Sequence, residues 1–178
     1  QVICAEPAPE TNSLLLWNLV ENGVPLRQLS SLGVEGKPGV IALHAAIGAE
    51  DGKVDLTYIP TRSQNANVGM SRNTSRWATM MNPGWRKVSV DEYNLTKILT
   101  DSSVRSVDLL KMDCEGCEFT VIPSMRDWII NRTRIKTLVG EIHWVSKFAN
   151  DTYSKSDLQR FKKVMELRGT PLDRANMT

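Results

Sequence analysis

The chain has 178 residues, a formal charge of +2, and 41% apolar side chains. That is enough for one domain with a buried core, and too balanced in charge to suggest nucleic acid, which needs a clustered basic face. No run approaches the ~18 consecutive apolar residues of a membrane span, and Gln1 opens directly into an apolar segment rather than a signal peptide.

Gln1 stands where a natural chain has Met, so a fragment or processed product is expected, with any upstream targeting segment lost. Val2–Ala5 is expected to be a buried strand, stopped at Glu6-Pro7. Pro9 and Glu10 open a helix that carries Leu14, Leu15, Leu16, Trp17, Leu19 and Val20 and ends at Asn22-Gly23. Val40–Ile47 reads as a second apolar strand closed by Gly48. Asp51-Gly52 is a hairpin signal, and Val54–Ile59 alternates at period two, as a strand with one wet face does. Residues Pro60–Pro83 are polar and aperiodic, which predicts a long functional or mobile loop.

Lys87–Val90 is predicted as a short strand, with Asp91 capping a helix of Tyr93, Leu95, Ile98 and Leu99. Val107–Met112 is a third buried strand. Gly116 opens a helix of Phe119, Val121, Ile122 and Met125 that Pro123 breaks or kinks. Ile135–Ile142 is the fourth buried strand. Ser156–Leu167 is an amphipathic helix with Leu158, Phe161, Val164, Met165 and Leu167 inward, stopped at Gly169. Strands apolar on both faces, alternating with helices, predict an α/β fold with a mostly parallel, doubly wound sheet over residues 1–169 and an irregular tail over 170–178.

In such sheets ligands bind at the carboxyl ends of the strands. Glu6 ends the first strand, where a carboxylate can accept hydrogen bonds from both hydroxyls of a ribose; a solvated acid before a turn is the plainer reading. Asp113, Glu115 and Glu118 are clustered after the third strand. Together they could hold a hard divalent cation or act as a base, although Glu118 alone reads as a helix-start acid favoured by the dipole. His143 lies two residues from Glu141, so a carboxylate could orient an imidazole that takes a proton near neutral pH. His44 lies inside a strand and reads as structural.

Cys114 and Cys117 form a CxxC with no second pair, which is too few for a four-cysteine zinc site. The flanking acids would raise their thiol pKa, so a redox role ranks below two small, half-buried residues. Five N-x-S/T sequons begin at Asn73, Asn94, Asn131, Asn150 and Asn176, an excess that points to the secretory pathway or Golgi lumen, with a cytoplasmic location as the alternative.

Ala5-Glu6-Pro7, Ala45-Ala46-Ile47-Gly48, Val90-Asp91-Glu92-Tyr93, Leu110-Lys111-Met112-Asp113-Cys114-Glu115-Gly116-Cys117-Glu118 and Glu141-Ile142-His143 together resemble the FkbM family of methyltransferases in order and spacing. The resemblance implies a Rossmann-like class I fold, incomplete at the N-terminus and C-terminus, with S-adenosylmethionine as methyl donor and a glycan or small-molecule hydroxyl as acceptor. It implies that Glu6 binds the cofactor ribose, that Ala46 and Ile47 lie near the adenine, and that Asp113 also binds the cofactor, near the transferred methyl. Asp113 or His143, the latter with Glu141, is then the base. The family's first strand and glycine-rich turn would precede Gln1, so weak cofactor binding is expected of the chain as given. A non-catalytic scaffold and, more remotely, a metal-dependent hydrolase using Asp113, Glu115 and His143 are the competing readings.

Overall fold

A computed structural model describes residues 1–59, 62–68, 86–114, 116–142 and 154–170, with only the backbone described at 59 and 62–68. Eight strands are seen among them: β1 (Val2–Ala5), β2 (Val40–Leu43), β3 (Ala46–Gly48), β4 (Gly52–Ile59), β5 (Arg62–Val68), β6 (Arg86–Asn94), β7 (Val107–Met112) and β8 (Ile135–Gly140). The helices are α1 (Pro9–Glu21), α2 (Leu95–Asp101), α3 (Glu118–Ser124), α4 (Arg126–Ile129) and α5 (Lys155–Arg168), plus a 3₁₀ turn at Leu29–Ser31.

The fold is α/β, and three strand pairs are parallel: β1 with β2, β3 with β6, and β7 with β8. The expected single doubly wound sheet is not what the described strands form. They make three sheets, β1-β2, β3-β6-β4-β5 and β7-β8, and the β6-β4-β5 pairings are antiparallel.

The expected strand over Val40–Ile47 breaks in two. A bend at His44 and Ala45 sends β3 into a different sheet from β2. No glycine or proline marks that bend, so the apolar run reads as continuous. Asp51-Gly52 does turn the chain, but β6 lies between β3 and β4, so no hairpin forms. The turn is held instead by Asp51, whose Oδ1 accepts the Asn94 N–H at 2.8 Å and whose Oδ2 pairs with Lys97 at 2.6 Å. Part of the expected Pro60–Pro83 loop is strand β5, which pairs with β4; residues 60–61 and 69–83 lie outside the described residues.

Helix α2 starts later than expected. Asp91 stays in β6 and pairs with Lys53, and Asn94 is the cap, accepting the Lys97 N–H at 3.1 Å. Both are good cap residues, so the pattern alone leaves the choice to the strand pairing. Proline acts as expected: α3 ends one residue after Pro123, and Met125 hands over to α4.

The main core lies where α3, α4 and α5 meet β7 and β8. Phe119, Val121, Met125, Ile129, Ile135 and Phe161 are almost fully buried there. Phe119 and Phe161 meet edge-on with centroids 5.0 Å apart, a preferred aromatic geometry. Helix α5 opens with a capping box between Ser154 and Asp157 and closes on Gly169 at φ 74°. Leu167, expected inward, is exposed, and Arg168 takes that place. Its buried guanidinium donates to the carbonyls of Ile129, Ile135 and Lys136, tying α5 to the start of β8. A long side chain with several donors can sit inward when backbone oxygens await it.

The strands are less covered than their composition suggests. Val2 on β1 and Leu109 on β7 are each 57% exposed, so neither strand is buried on both faces. The helices pack one face of β7-β8 and leave Leu109 and Val139 open on the other. Strand β8 also stops at Gly140, two residues before its expected end at Ile142.

Candidate active site

Parallel pairing brings the carboxyl ends of β1 and β2 together. Ala5 is opposite Leu43, and the ladder runs one step further, with the Glu6 N–H donating to Leu43 O at 3.0 Å. Glu6 and His44 therefore leave the two strands side by side. The Glu6 carboxylate turns back onto the chain, where Oε1 accepts the Ala8 N–H at 2.8 Å. Burial pushes its pKa above the ordinary 4.5, while the Ala8 N–H and nearby His44 act the other way.

Ala8 is itself buried, in a small cluster with Ala46, Leu56, Tyr58 and Val90. That cluster seats Glu6 beside β3. Ala46 is buried in it, and Ile47 packs toward the main core from the opposite face. His44, expected to be structural within a strand, is exposed in the bend beside Glu6. Its position at the strand end was hidden because the apolar run conceals the bend.

The end of β7 is built differently. Asp113 follows Met112, is exposed, and pairs with Lys111 at 3.5 Å. After it the chain turns tightly into α3. Gly116 adopts φ 113°, a conformation that side chains disfavour, which explains a glycine at this point of the block. Cys114 and Cys117 are joined by a disulfide across that turn, rather than standing as two separate small residues. Glu118 is in the first turn of α3 as expected, but it is not a surface acid. It is 1% exposed and reaches back to the Cys114 N–H at 3.5 Å. Disulfide and carboxylate thus close the same turn from two sides.

Gly140 sets how closely β8 approaches this end. A Cβ there would lie 1.9 Å from Met112 O, a backbone atom that cannot yield cheaply. The next residue, Glu141, donates its N–H to Met112 O at 3.2 Å and is exposed. Glu115 and His143 lie outside the described residues, so the expected Glu141–His143 pair and the three-acid cluster are untested. Among the described residues no group of three His, Cys, Asp or Glu side chains is arranged to hold a metal ion.

The half-buried Cys4 thiol on β1 is raised first by burial and then by the Glu6 carboxylate, and lowered by the Lys111 ammonium of β7. Cys4 thus lies within electrostatic range of both Glu6 and Lys111. A cleft of about 350 Å³ lies elsewhere, between α3 and α5, and neither Glu6 nor Asp113 lines it. In parallel sheets ligands bind at the carboxyl ends of the strands, and of those ends this cleft touches that of β3, at Ala49.

A family model described as the methyltransferase FkbM domain matches residues 2–169. The chain belongs to the FkbM methyltransferase family. No curated protein and no solved structure matches it. The family match spans every element from β1 to α5 and the block that carries Asp113. An FkbM domain thus accounts for the α/β architecture, and methyl transfer is the activity the family supports.

Proposed function

We propose that this protein is an S-adenosylmethionine-dependent O-methyltransferase that acts on a hydroxyl of a glycan or small molecule. The observation that carries the proposal is the Glu6 carboxylate: half-buried at the joined ends of β1 and β2, with one oxygen held by the Ala8 N–H. An ionised carboxylate only accepts hydrogen bonds. With one lone pair taken by Ala8, the remainder suit the two hydroxyls of a ribose. Glu6 therefore suits the cofactor ribose, and the family resemblance would put the β3 segment of Ala46 and Ile47 near its adenine.

The bound cofactor supplies a methyl group on a positively charged sulfur. Around it the protein holds and orients. Glu6 would fix the ribose, and the Cys114–Cys117 disulfide closes the turn that follows Asp113. Asp113 faces solvent, where an acceptor can reach it. It is our candidate to receive the hydroxyl proton, with His143 as the alternative base beside Glu141. Lys111 Nζ lies 3.5 Å from the Asp113 carboxylate. Holding donor and acceptor in line removes much of the entropic barrier to a two-body displacement.

The test is methyl transfer from methyl-labelled S-adenosylmethionine to a panel of sugar and small-molecule alcohols, using protein expressed from its full reading frame. Label appearing on a hydroxyl, and lost in Asp113→Asn, supports the reading. Cofactor binding without transfer to any acceptor would favour the scaffold reading. Activity that needs a divalent metal and no cofactor would favour the hydrolase.

A further inference from the structure

Two of the five sequons have described side chains, and the fold treats them in opposite ways. Asn94 is the cap of α2. The Lys97 N–H needs an acceptor, which fixes Oδ1 toward it at 3.1 Å and so aims Nδ2 at Ala49 O, 2.5 Å away in a half-buried setting. The third sequon residue, Thr96, has a buried hydroxyl with no hydrogen bond among the described residues. A sugar on Asn94 Nδ2 would have to occupy the place of the Ala49 carbonyl, and the turn that joins β3 to β6 and α2 would open.

Asn131 is the reverse case. It lies in the turn between α4 and β8, and Asn131 to Arg134 are all exposed. Its Oδ1 accepts the Thr133 N–H at 2.9 Å and the Thr133 hydroxyl at 2.7 Å. The backbone donor again fixes the amide, this time with Oδ1 inward and Nδ2 turned away from the turn. The turn is secured without Nδ2, because Asn131 O accepts the N–H groups of Arg134 and Ile135. Nothing in the local structure has to move to admit a sugar.

Position and compartment agree with this. Asn131 precedes β8, while Glu141 follows it, so a glycan would sit about 20 Å from the carboxyl ends of β7 and β8, at ~3.3 Å per strand residue. It would leave the proposed site open. The Cys114–Cys117 disulfide is a bond that persists in oxidising compartments, the same ones in which asparagine is glycosylated.

We infer that Asn131 is an N-glycosylation site of this protein and that Asn94 is not. The donor is an oligosaccharide linked to a polyprenyl pyrophosphate. Nδ2 forms a bond to the first sugar carbon, the bond from that carbon to pyrophosphate oxygen breaks, Nδ2 gives up a proton to the transferase, and the lipid pyrophosphate leaves. Transfer takes place on the emerging chain, so the burial of Asn94 acts at folding: molecules modified there cannot cap α2 and do not accumulate.

The experiment is expression of the full-length protein through the secretory route of a eukaryotic cell, followed by enzymatic deglycosylation in heavy-oxygen water and peptide mass spectrometry. The Asn131 peptide is expected to carry the label in most molecules, and the Asn94 peptide to stay unmodified. Asn131→Asp keeps the Oδ1 acceptor of the turn, so it should fold, and should gain mobility on a gel by one glycan. Thr133→Ala should lose the same glycan. An unlabelled Asn131 peptide, in either the secreted or the cell-retained pool, overturns the inference, as does equal occupancy at Asn94.

Discussion

Glu6 follows β1 and Asp113 follows β7, each an acid one residue beyond an apolar parallel strand. Around Glu6 the chain closes in. Its carboxyl is half-buried, held by a backbone N–H, and raised in pKa by that burial. Around Asp113 the chain opens out. The carboxylate faces solvent beside Lys111, on a turn cross-linked by a disulfide and backed by buried Glu118. The same sequence signal yields a half-buried carboxyl at one strand end and a solvent-facing one at the other. Burial, which no local pattern encodes, makes the difference.

The largest effect expected from breaking this contrast is on turnover. Asp113→Asn keeps the shape of the β7 end and removes the proposed base, so kcat should fall by about 10³-fold, within the range for general base catalysis. The KM for cofactor should change little. Steady-state kinetics over both substrates separates the two parameters, and a matching rise in KM would make Asp113 a binding group instead.

Next comes Gly140→Ala. The new Cβ would press on Met112 O, so β8 must move away from β7. A loss of about 1–3 kcal/mol in chemical unfolding is expected, typical of overpacking. The β1–β2 end should be unaffected, so cofactor affinity should survive better than turnover. A variant as stable as the parent would mean that the β7–β8 approach is looser than described.

The effect of the disulfide is of comparable size. Replacing Cys114 and Cys117 by serine should cost about 2 kcal/mol of stability, because the loop it closes is short. It should also lower turnover by loosening the Asp113 turn. An unchanged melting temperature under thiol reductant would remove the cross-link from the account.

How far these features could be read beforehand differs from element to element. β1 and the ends of α1 and α5 were legible, since proline, Asn22-Gly23 and Gly169 punctuate them. So was the block around Asp113. The strand order was not, because it depends on β6 inserting between β3 and β4, a pairing between segments some forty residues apart. Polar β5 carries no apolar alternation to announce it. Arg168 was passed over because a charged residue reads as outward until the carbonyls around it are known. For the site, Glu6 and Asp113 could be named from strand ends, whereas the neighbourhood of His44, the buried Glu118 and the close approach at Gly140 exist only in three dimensions.

The smallest effect is in pH. The folded-state pKa of Glu6 lies above its ordinary 4.5, so as pH rises between those two values the folded state releases a proton the unfolded chain has already lost, and stability falls. Glu6→Gln should therefore melt slightly higher than the parent at about pH 8, with the two converging as pH drops to the ordinary carboxylate range. Cofactor affinity in the parent should weaken on acidification from above that range, and the glutamine variant should lack this dependence. A flat profile in the parent would mean that the carboxylate charge does not matter for binding.

The central claim is that Glu6 holds the donor and Asp113 does not, and calorimetric titration of the full-length protein with S-adenosylmethionine tests it most directly. Two lost charge-assisted hydrogen bonds correspond to a loss of about 2 kcal/mol or more. Glu6→Ala should thus bind at least about 30-fold more weakly, while Asp113→Asn stays within about threefold of the parent. Equal binding by the parent and Glu6→Ala, or no binding by the parent at all, would contradict it.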